Sequence, residues 1–497
     1  MPDSVGGQRI TLRREPNLQA KLRAFAYQQQ VVESVRELES CAIFLEQGLG
    51  KSKVAADLIL HWLDRRVVDT VLYVTKKSLI VNVLREFEAH TYLRPMILSQ
   101  DAHKNYYVFN SGSRLMLTHY EVLTSEHERL NLLARSRSLA CILDESAKIK
   151  NPESSVTRAA FELTPLLARR VIMTGTPIPN RPYDLWAQIW FLDQGASLGQ
   201  DFAGFKRQYD LPNSLAGDSD AQMHLEQALN DVYRRIASFC VRMTKGEGTI
   251  SLPRKEFQTH YCDWERRQFE LYEAIRKDER AIVVRDGVPS EDKSEEVLKR
   301  LLRLVQVASN PILVDQSYSA RPGKYEALES ILYEVMAASE KCIVWTSFID
   351  SVAWLRRELA PFGARAVHGR MSMEEREQAL KSFKEDDSTR VLVATPGAAK
   401  EGLTLTVANH VVFWDRSFSL DDYLQAQDRI HRISQTRTCY IHNLVMSESV
   451  DEWVDALLKA KRLAAQLAQR DIGLESYRAQ MDYNFGEMIR DILGISA

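Results

Sequence analysis

Three groups of residues in this chain have the types and spacing that phosphate chemistry needs. The stretch "LEQGLGKSKVAADLIL", Leu45 to Leu60, sets Gly48, Gly50, Lys51 and Ser52 between an apolar run and a helical pattern. A glycine turn opening a helix presents backbone N–H groups to an anion, and its glycines let a phosphate approach closely. A lysine after the turn can reach terminal phosphates, and the next hydroxyl can ligate Mg²⁺. The strict fingerprint begins with glycine four residues before Gly-Lys, where this chain has Leu45. That position falls at a strand end, where a glycine matters less. The same residues also fit a glycine turn ahead of an ordinary basic helix. In "LACILDESAKIKN" an apolar run ends in Asp144-Glu145. Acids at the carboxyl end of a strand lie where open α/β sheets build their sites. Asp144 can hold Mg²⁺ and Glu145 can polarise a water as general base, unless the pair merely caps the following helix. In "YLQAQDRIHRISQ", Gln425, Arg429 and Arg432 are spaced by four and three, which predicts one helical face. Arginines so delivered can stabilise transition-state charge on a phosphoryl group. Taken alone, they fit a solvated basic face better.

These residues need rigid elements to hold them. Short apolar runs alternate with helical patterns, the reading of parallel sheets with crossover helices. Predicted strands are "CAIFLE", "DTVLYVT", "SRLMLTH", "ACILDE" and "RRVIMTG", then "KCIVWTS", "ARAVHG", "RVLVAT", "HVVFWD" and "CYIHNLV". The two sets predict α/β lobes over residues 20–195 and 323–450, after an N-terminal extension at 1–19. Residues 196–322 read as a helical insertion and linker, with "DAQMHLEQALNDVYRRIASFCV" and "EVLKRLLRLVQVA" as amphipathic helices. Residues 451–497 read as a helical tail.

Composition narrows the class. At 497 residues the chain is long for one core and suits several domains. No apolar run reaches the roughly 18 residues of a membrane span, and the N-terminal stretch lacks a signal-peptide core. No membrane partner is expected. The six cysteines are far apart, with no Cys-x-x-Cys, which points to a reducing compartment rather than a disulfide frame or a zinc cluster. A net charge of −2 means that any nucleic-acid surface must be local.

The motifs, taken in order over about residues 20–450, resemble a superfamily 2 helicase-type ATPase of the Swi2/Snf2 branch. "LRAFAYQ" resembles the Q motif, "GLGKS" motif I, "VTKKSLIVNVLREF" motif Ia and "LTHYEVL" the next DNA-side motif. "DESAKIKN" resembles motif II, and "TGTPIPNRPYDLWAQIWFL" motif III with its Snf2-type continuation. "LPRKE" and "LLRLVQVASNP" match linker landmarks. "IVWTSF", "AVHGRM", "AKEGLTLTVANHVVFWD" and "QAQDRIHRISQ" resemble motifs IV to VI. Three departures stand out. The common DEAH reads Asp144-Glu145-Ser146-Ala147, so coupling through a histidine at Ala147 is lost; Ala399 and Lys400 replace a glycine pair; Ser434 replaces a glycine.

The resemblance implies two RecA-like parallel-sheet lobes with helical insertions between them, a helical C-terminal tail, and ATP and Mg²⁺ as ligands. It implies nucleotide contacts at Gln28 (adenine), Gly48, Gly50, Lys51, Ser52 and Gly402, with Mg²⁺ at Ser52 and Asp144. Lys51, Glu145, Gln425, Arg429 and Arg432 would be catalytic. Thr174, Gly175 and Thr176 would couple nucleotide to DNA grip, or form a proline-stopped strand end. Lys77 and Lys400 would meet DNA phosphates, although Lys77 also fits an exposed strand end. The expected partner is double-stranded DNA, tracked by a compact bacterial, archaeal or phage translocase in the cytoplasm, nucleoid-associated or in a phage's host. A partner protein would supply any nuclease or targeting activity. A strand-unwinding helicase and a nucleotide-gated scaffold remain as alternatives.

Overall fold

The computed structural model describes residues 12, 15–178, 182–209, 219–245, 252–285, 293–398, 404–469 and 471–480. The chain forms two compact units, residues 1–251 with 465–474 and residues 252–464 with 475–497.

The first unit is built on seven strands: β1 (Ser40–Leu45), β2 (Thr70–Thr75), β3 (Met96–Ile97), β4 (Leu115–His119), β5 (Leu139–Asp144), β6 (Arg169–Met173) and β7 (Cys240–Met243). They pair in the order β3-β4-β2-β5-β6-β1-β7, all parallel. Parallel pairing requires crossovers, and helices therefore cover both faces. Side chains divide accordingly with period two. Ala42, Phe44, Leu72, Val74, Cys141, Leu143 and Ile172 enter the core on one face. Cys41, Ile43, Leu45, Val71, Tyr73, Ala140, Ile142, Val171 and Met173 enter the core on the other. This two-sided burial is why the strands read as continuous apolar runs rather than as alternating ones.

The second unit is built on β8 (Lys255–Cys262), β9 (Cys342–Trp345), β10 (Ala364–Val367), β11 (Val391–Ala394), β12 (His410–Phe413) and β13 (Cys439–Met446), in the parallel order β10-β11-β9-β12-β13-β8. Ile343, Trp345, Leu392, Ala394, Val411, Phe413 and Ile441 build the core of one face. All ten predicted strands are present. The segment expected to be helical, 196–322, carries the helices Phe202–Tyr209, Ser219–Ile236, Arg266–Arg285 and Lys293–Ser309, and also supplies β7 and β8, one at the edge of each sheet. The expected helix through "RRIASFCV" stops at Ile236, and its last residues begin β7. Among the described residues, no helix is long and apolar enough to cross a membrane.

Strands β8, β13 and β12 align a row of imidazoles. Nε2 of His260 lies 3.1 Å from Nδ1 of His442, Nε2 of His442 lies 3.1 Å from Nδ1 of His410, and Nε2 of His410 lies 2.7 Å from Glu340 Oε2. A carboxylate only accepts, so His410 donates through Nε2, and the tautomers of the row follow in one direction: His442 donates to His410, and His260 to His442. Both nitrogens of His442 are thus occupied by neighbouring imidazoles. Burial first, then the neighbouring His410 and His260, lower its pKa to about 3. Glu334, Glu340 and Arg437 are the charged groups that act on this row. A folded-state pKa below the ordinary histidine value of about 6.5 means that the unfolded chain takes up the proton first as pH falls. Stability from this site is therefore complete above that value and lost progressively on acidification towards the folded-state value. Thermal melting from neutral to mildly acidic pH should fall more steeply for the wild type than for His442→Gln; equal slopes would show that the row does not carry the acid sensitivity.

Candidate functional site

The carboxyl edge of the first sheet collects the predicted residues. From β1 the chain enters the glycine loop, from β2 it reaches Lys76 and Lys77, from β5 Asp144 and Glu145, and from β6 Thr174. This is the edge where parallel α/β sheets bind ligands.

The loop depends on its glycines. Gly50 caps the helix Lys51–Asp64 in the left-handed region, φ 72° and ψ 45°, and Gly48 has φ 87°. A Cβ on Gly50 would meet Gln28 Nε2 at 2.4 Å. Gln28 is buried, and its amide bridges the loop to its own helix start. Nε2 donates to Leu49 O at 3.1 Å and Oε1 accepts from Phe25 N at 3.0 Å. Tyr27 Oη also donates to Leu49 O, at 2.8 Å. The residue expected to read adenine is thus seated directly on the loop. Lys51 and the half-buried Ser52 open the helix.

Lys51 Nζ lies 3.7 Å from Glu145 Oε1, with both side chains mostly buried. Glu145 has φ 56°, a left-handed conformation that costs a non-glycine residue about 1–3 kcal/mol. The surroundings hold it there. Glu145 N donates to Asp144 Oδ1 at 3.0 Å, and Tyr120 Oη donates to Asp144 O at 2.8 Å. Thr75 Oγ1 donates to Asp144 Oδ2 at 3.2 Å. Burial, and then the adjacent Glu145 carboxylate, raise the pKa of Asp144, against the opposing pull of Lys51, Tyr73 and Thr75. A buried acid whose pKa burial raises suits a hard divalent cation with oxygen ligands. The chemistry of the residues present fits Mg²⁺, which Ser52 and Asp144 would hold.

Thr75 and Tyr120 are not among the sequence motifs' expected site residues. Their available signal was a polar or hydroxyl-bearing residue at the carboxyl end of an apolar strand. Thr174 is fully buried, and its Oγ1 accepts from Thr176 N at 3.1 Å. Gly175 packs on the loop itself: a Cβ there would lie 2.9 Å from Gln47 Cγ, 3.1 Å from Gln47 N and 3.3 Å from Leu45 O. Lys77 is exposed, with Nζ 3.4 Å from Gln100 Oε1.

In the second unit, the expected single helical face is corrected. The helix Leu420–Gln427 ends before the arginines, with Asp428 as its C-cap, so Gln425 is helical while Arg429 and Arg432 lie in the turns that follow. The tightening has a physical cause. Ile430 is fully buried in the core, and Arg429 O accepts from Leu405 N at 2.9 Å instead of continuing the helix. Gln435 Nε2 holds the turns by donating to Ile430 O at 3.0 Å and Ala408 O at 2.8 Å. Gln425 is buried and donates to Asp421 Oδ2 at 2.8 Å. Arg429 is buried. Arg432 Nη1 donates to Thr404 Oγ1 at 2.9 Å. Lys400 and Gly402 lie outside the described residues.

Residues 27–313 match the SNF2-related domain, and residues 323–434 match the helicase conserved C-terminal domain. The chain belongs to the SNF2-related family. This is a family of helicase-like ATPases, so nucleotide use comes with membership. Among its relatives, YwqA of Bacillus subtilis (strain 168) is 27% identical over 358 residues, covering 70% of this chain and 37% of the relative. A Mycoplasma pneumoniae (strain ATCC 29342 / M129 / Subtype 1) protein named as an uncharacterized ATP-dependent helicase is 26% identical, covering 86% of this chain and 40% of its own length. The SNF2-related chain thus spans well under half of these relatives. The Sulfolobus solfataricus SWI2/SNF2 ATPase core, solved in complex with dsDNA, is 24% identical with a TM-score of 0.43, covering 98% of this chain and 100% of that one.

Gly175 supplies a test of the link between the β6 end and the loop. Gly175→Ala forces its Cβ against the Gln47 backbone, and overpacking of this kind costs about 1–3 kcal/mol. ATP affinity, read by titration, should fall about tenfold or more, with a melting temperature lowered by about 2–4 °C for each kcal/mol of overpacking. Wild-type affinity in the variant would mean that the β6 end does not shape the loop.

Proposed function

We propose that this SNF2-related chain is a DNA-dependent ATPase that moves along double-stranded DNA without separating its strands. The observation that carries the reading is the meeting of Lys51 and Glu145 at 3.7 Å, on a glycine-turned helix start beside the buried Asp144. In this reading the loop amides and Lys51 hold the phosphates of ATP, and Gln28 meets the adenine. Ser52 and Asp144 hold Mg²⁺, which supplies Lewis-acid charge at the phosphoryl oxygens. Glu145 takes the proton of the attacking water, and the products are ADP and inorganic phosphate. Arg429 and Arg432 act on the developing phosphoryl charge, a role worth about 10³–10⁵ in rate for arginine fingers, with Gln425 positioning the attacking water. Gly402 completes the nucleotide contacts.

Support for DNA as the track comes from family membership together with the Snf2-type continuation "NRPYDLWAQIWFL" and the linker "LLRLVQVASNP". A backbone-tracking motor grips phosphates and displaces counterions, so its binding is salt-sensitive and sequence-tolerant. With a net charge of −2 the grip must be local. Lys77 at the β2 end and Lys400 are our candidates for it, and Thr174, Gly175 and Thr176 for passing nucleotide state to it. A partner protein is proposed to bring targeting or nuclease activity, and the nucleoid or a phage's host cytoplasm is the proposed place of work.

The test is ATPase turnover on single strands, duplexes and forks, paired with displacement of a triplex strand from intact duplex. Duplex should stimulate turnover and drive triplex displacement. Stimulation should drop about tenfold or more between roughly 50 mM and 200 mM salt. Lys77→Glu should weaken stimulation while leaving DNA-free turnover intact. Vigorous fork unwinding with no triplex displacement would contradict translocation and favour a strand-separating helicase.

A further inference from the structure

The helix Trp186–Asp193 buries Trp186, Ala187, Ile189, Phe191 and Leu192, and among them it buries one amide, Gln188. A primary amide sunk in an apolar helix is costly unless each of its groups is bonded. Gln188 is fully buried, and its bonds are complete. Nε2 donates to Pro177 O at 2.7 Å and to Asp184 O at 2.9 Å, and Oε1 accepts from Ser146 Oγ at 2.7 Å. The orientation is forced. Two backbone carbonyls can only accept, so the amino group must face them, and Ser146 must then be the donor. Turning the amide over would leave three oxygens facing one another in a dry core.

These bonds close a circuit within the first unit. Ser146 is fully buried, and it follows Glu145, whose backbone sits in the left-handed region. Pro177 lies two residues beyond Gly175, which packs on Gln47 and Leu45 of the glycine loop. Lys51 at the end of that loop returns to Glu145 at 3.7 Å. Ala147, where the resemblance has a histidine, has no side chain able to reach across. The acid pair and the "TGTP" turn are joined instead by a serine hydroxyl and a glutamine amide.

We propose that Gln188 is a positioning residue for hydrolysis: with Ser146 it fixes Glu145 relative to the Thr174–Pro177 turn, so that the base is aligned only when that turn is in place. The proposal rests on the ATPase reading above. Gln188 is fully buried, and its effect runs through Ser146. ATP binding does not need the alignment, because the loop and Lys51 provide it. Turnover does, since a misplaced base loses rate steeply.

The test is a double-mutant cycle of Ser146→Ala, Gln188→Met and the pair. It is read as kcat and KM for ATP at saturating duplex DNA, with melting curves for each protein. Each single variant should lower kcat about tenfold or more with KM for ATP within about twofold, and the double variant should be no worse than the poorer single one. Gln188→Glu, which keeps the shape but cannot donate to Pro177 O, should lower kcat in the same way. Should Gln188→Met fail to fold, Ser146→Ala carries the test, because it removes only the hydroxyl. Unchanged kcat in folded variants would overturn the proposal. So would strictly multiplicative losses, or a lowered melting temperature with unchanged kcat, the mark of a purely structural amide. Wild-type protein without ATPase activity would instead overturn the underlying ATPase reading, and the two failures are thereby distinct.

Discussion

Two carboxylates held side by side at a dry sheet edge are the constraint around which the first unit is organised. Asp144 is buried and Glu145 nearly so, and burial with like charge raises the pKa of the former. Unit charges about 4 Å apart interact by roughly 4 kcal/mol at an effective dielectric of 20, so such a pair needs nearby cations. Lys51 supplies one, and its approach explains the loop. Only a left-handed glycine at position 50 turns the chain sharply enough to begin the helix with a lysine facing the acids. The strain at Glu145 belongs to the same arrangement, since its φ of 56° is held by Tyr120 on the preceding carbonyl and by Asp144 on its own amide.

The rest of the unit keeps that edge still. β1 and β5 are separated in the sheet only by β6, and the residues after β6 fill the gap with Gly175 against the loop. All seven strands run the same way, so every crossover returns its helix to the opposite edge and leaves this one to loops. A site built on strand ends inherits the rigidity of two apolar cores, one on each face.

Much of this was legible in the amino-acid sequence. Strands buried on both faces read as apolar runs of strand length, which is why "CAIFLE" and "ACILDE" announced β1 and β5. The motifs at their ends were recognisable because phosphate chemistry demands few residue types at short spacing. What escaped notice obeyed other rules. β8, "KEFQTHYC", is a half-exposed edge strand whose pattern is polar. β7 is four partly buried residues directly after a long amphipathic helix, and the helical pattern overran it. Arg429 and Arg432 kept a helical spacing in sequence but not in space, because burial of Ile430 and the carbonyl bond to Leu405 ended the helix first. Tyr120 and Thr75 through Asp144, and Gln188 through Ser146, act by bonds to residues far away in the chain, and no local pattern encodes those.

The pairing of Lys51 with the acid edge can be examined without DNA and without turnover. Titration calorimetry of the wild-type protein and Lys51→Ala with Mg–ATP, alongside thermal melting of both, isolates nucleotide binding from everything downstream. The wild type should bind and be stabilised by the nucleotide. Lys51→Ala should stay folded when free, melting a few degrees lower because the acid pair loses its cation, yet show neither the binding heat nor the stabilisation. Wild-type binding by a folded Lys51→Ala protein would contradict the assignment of the glycine loop as the nucleotide site.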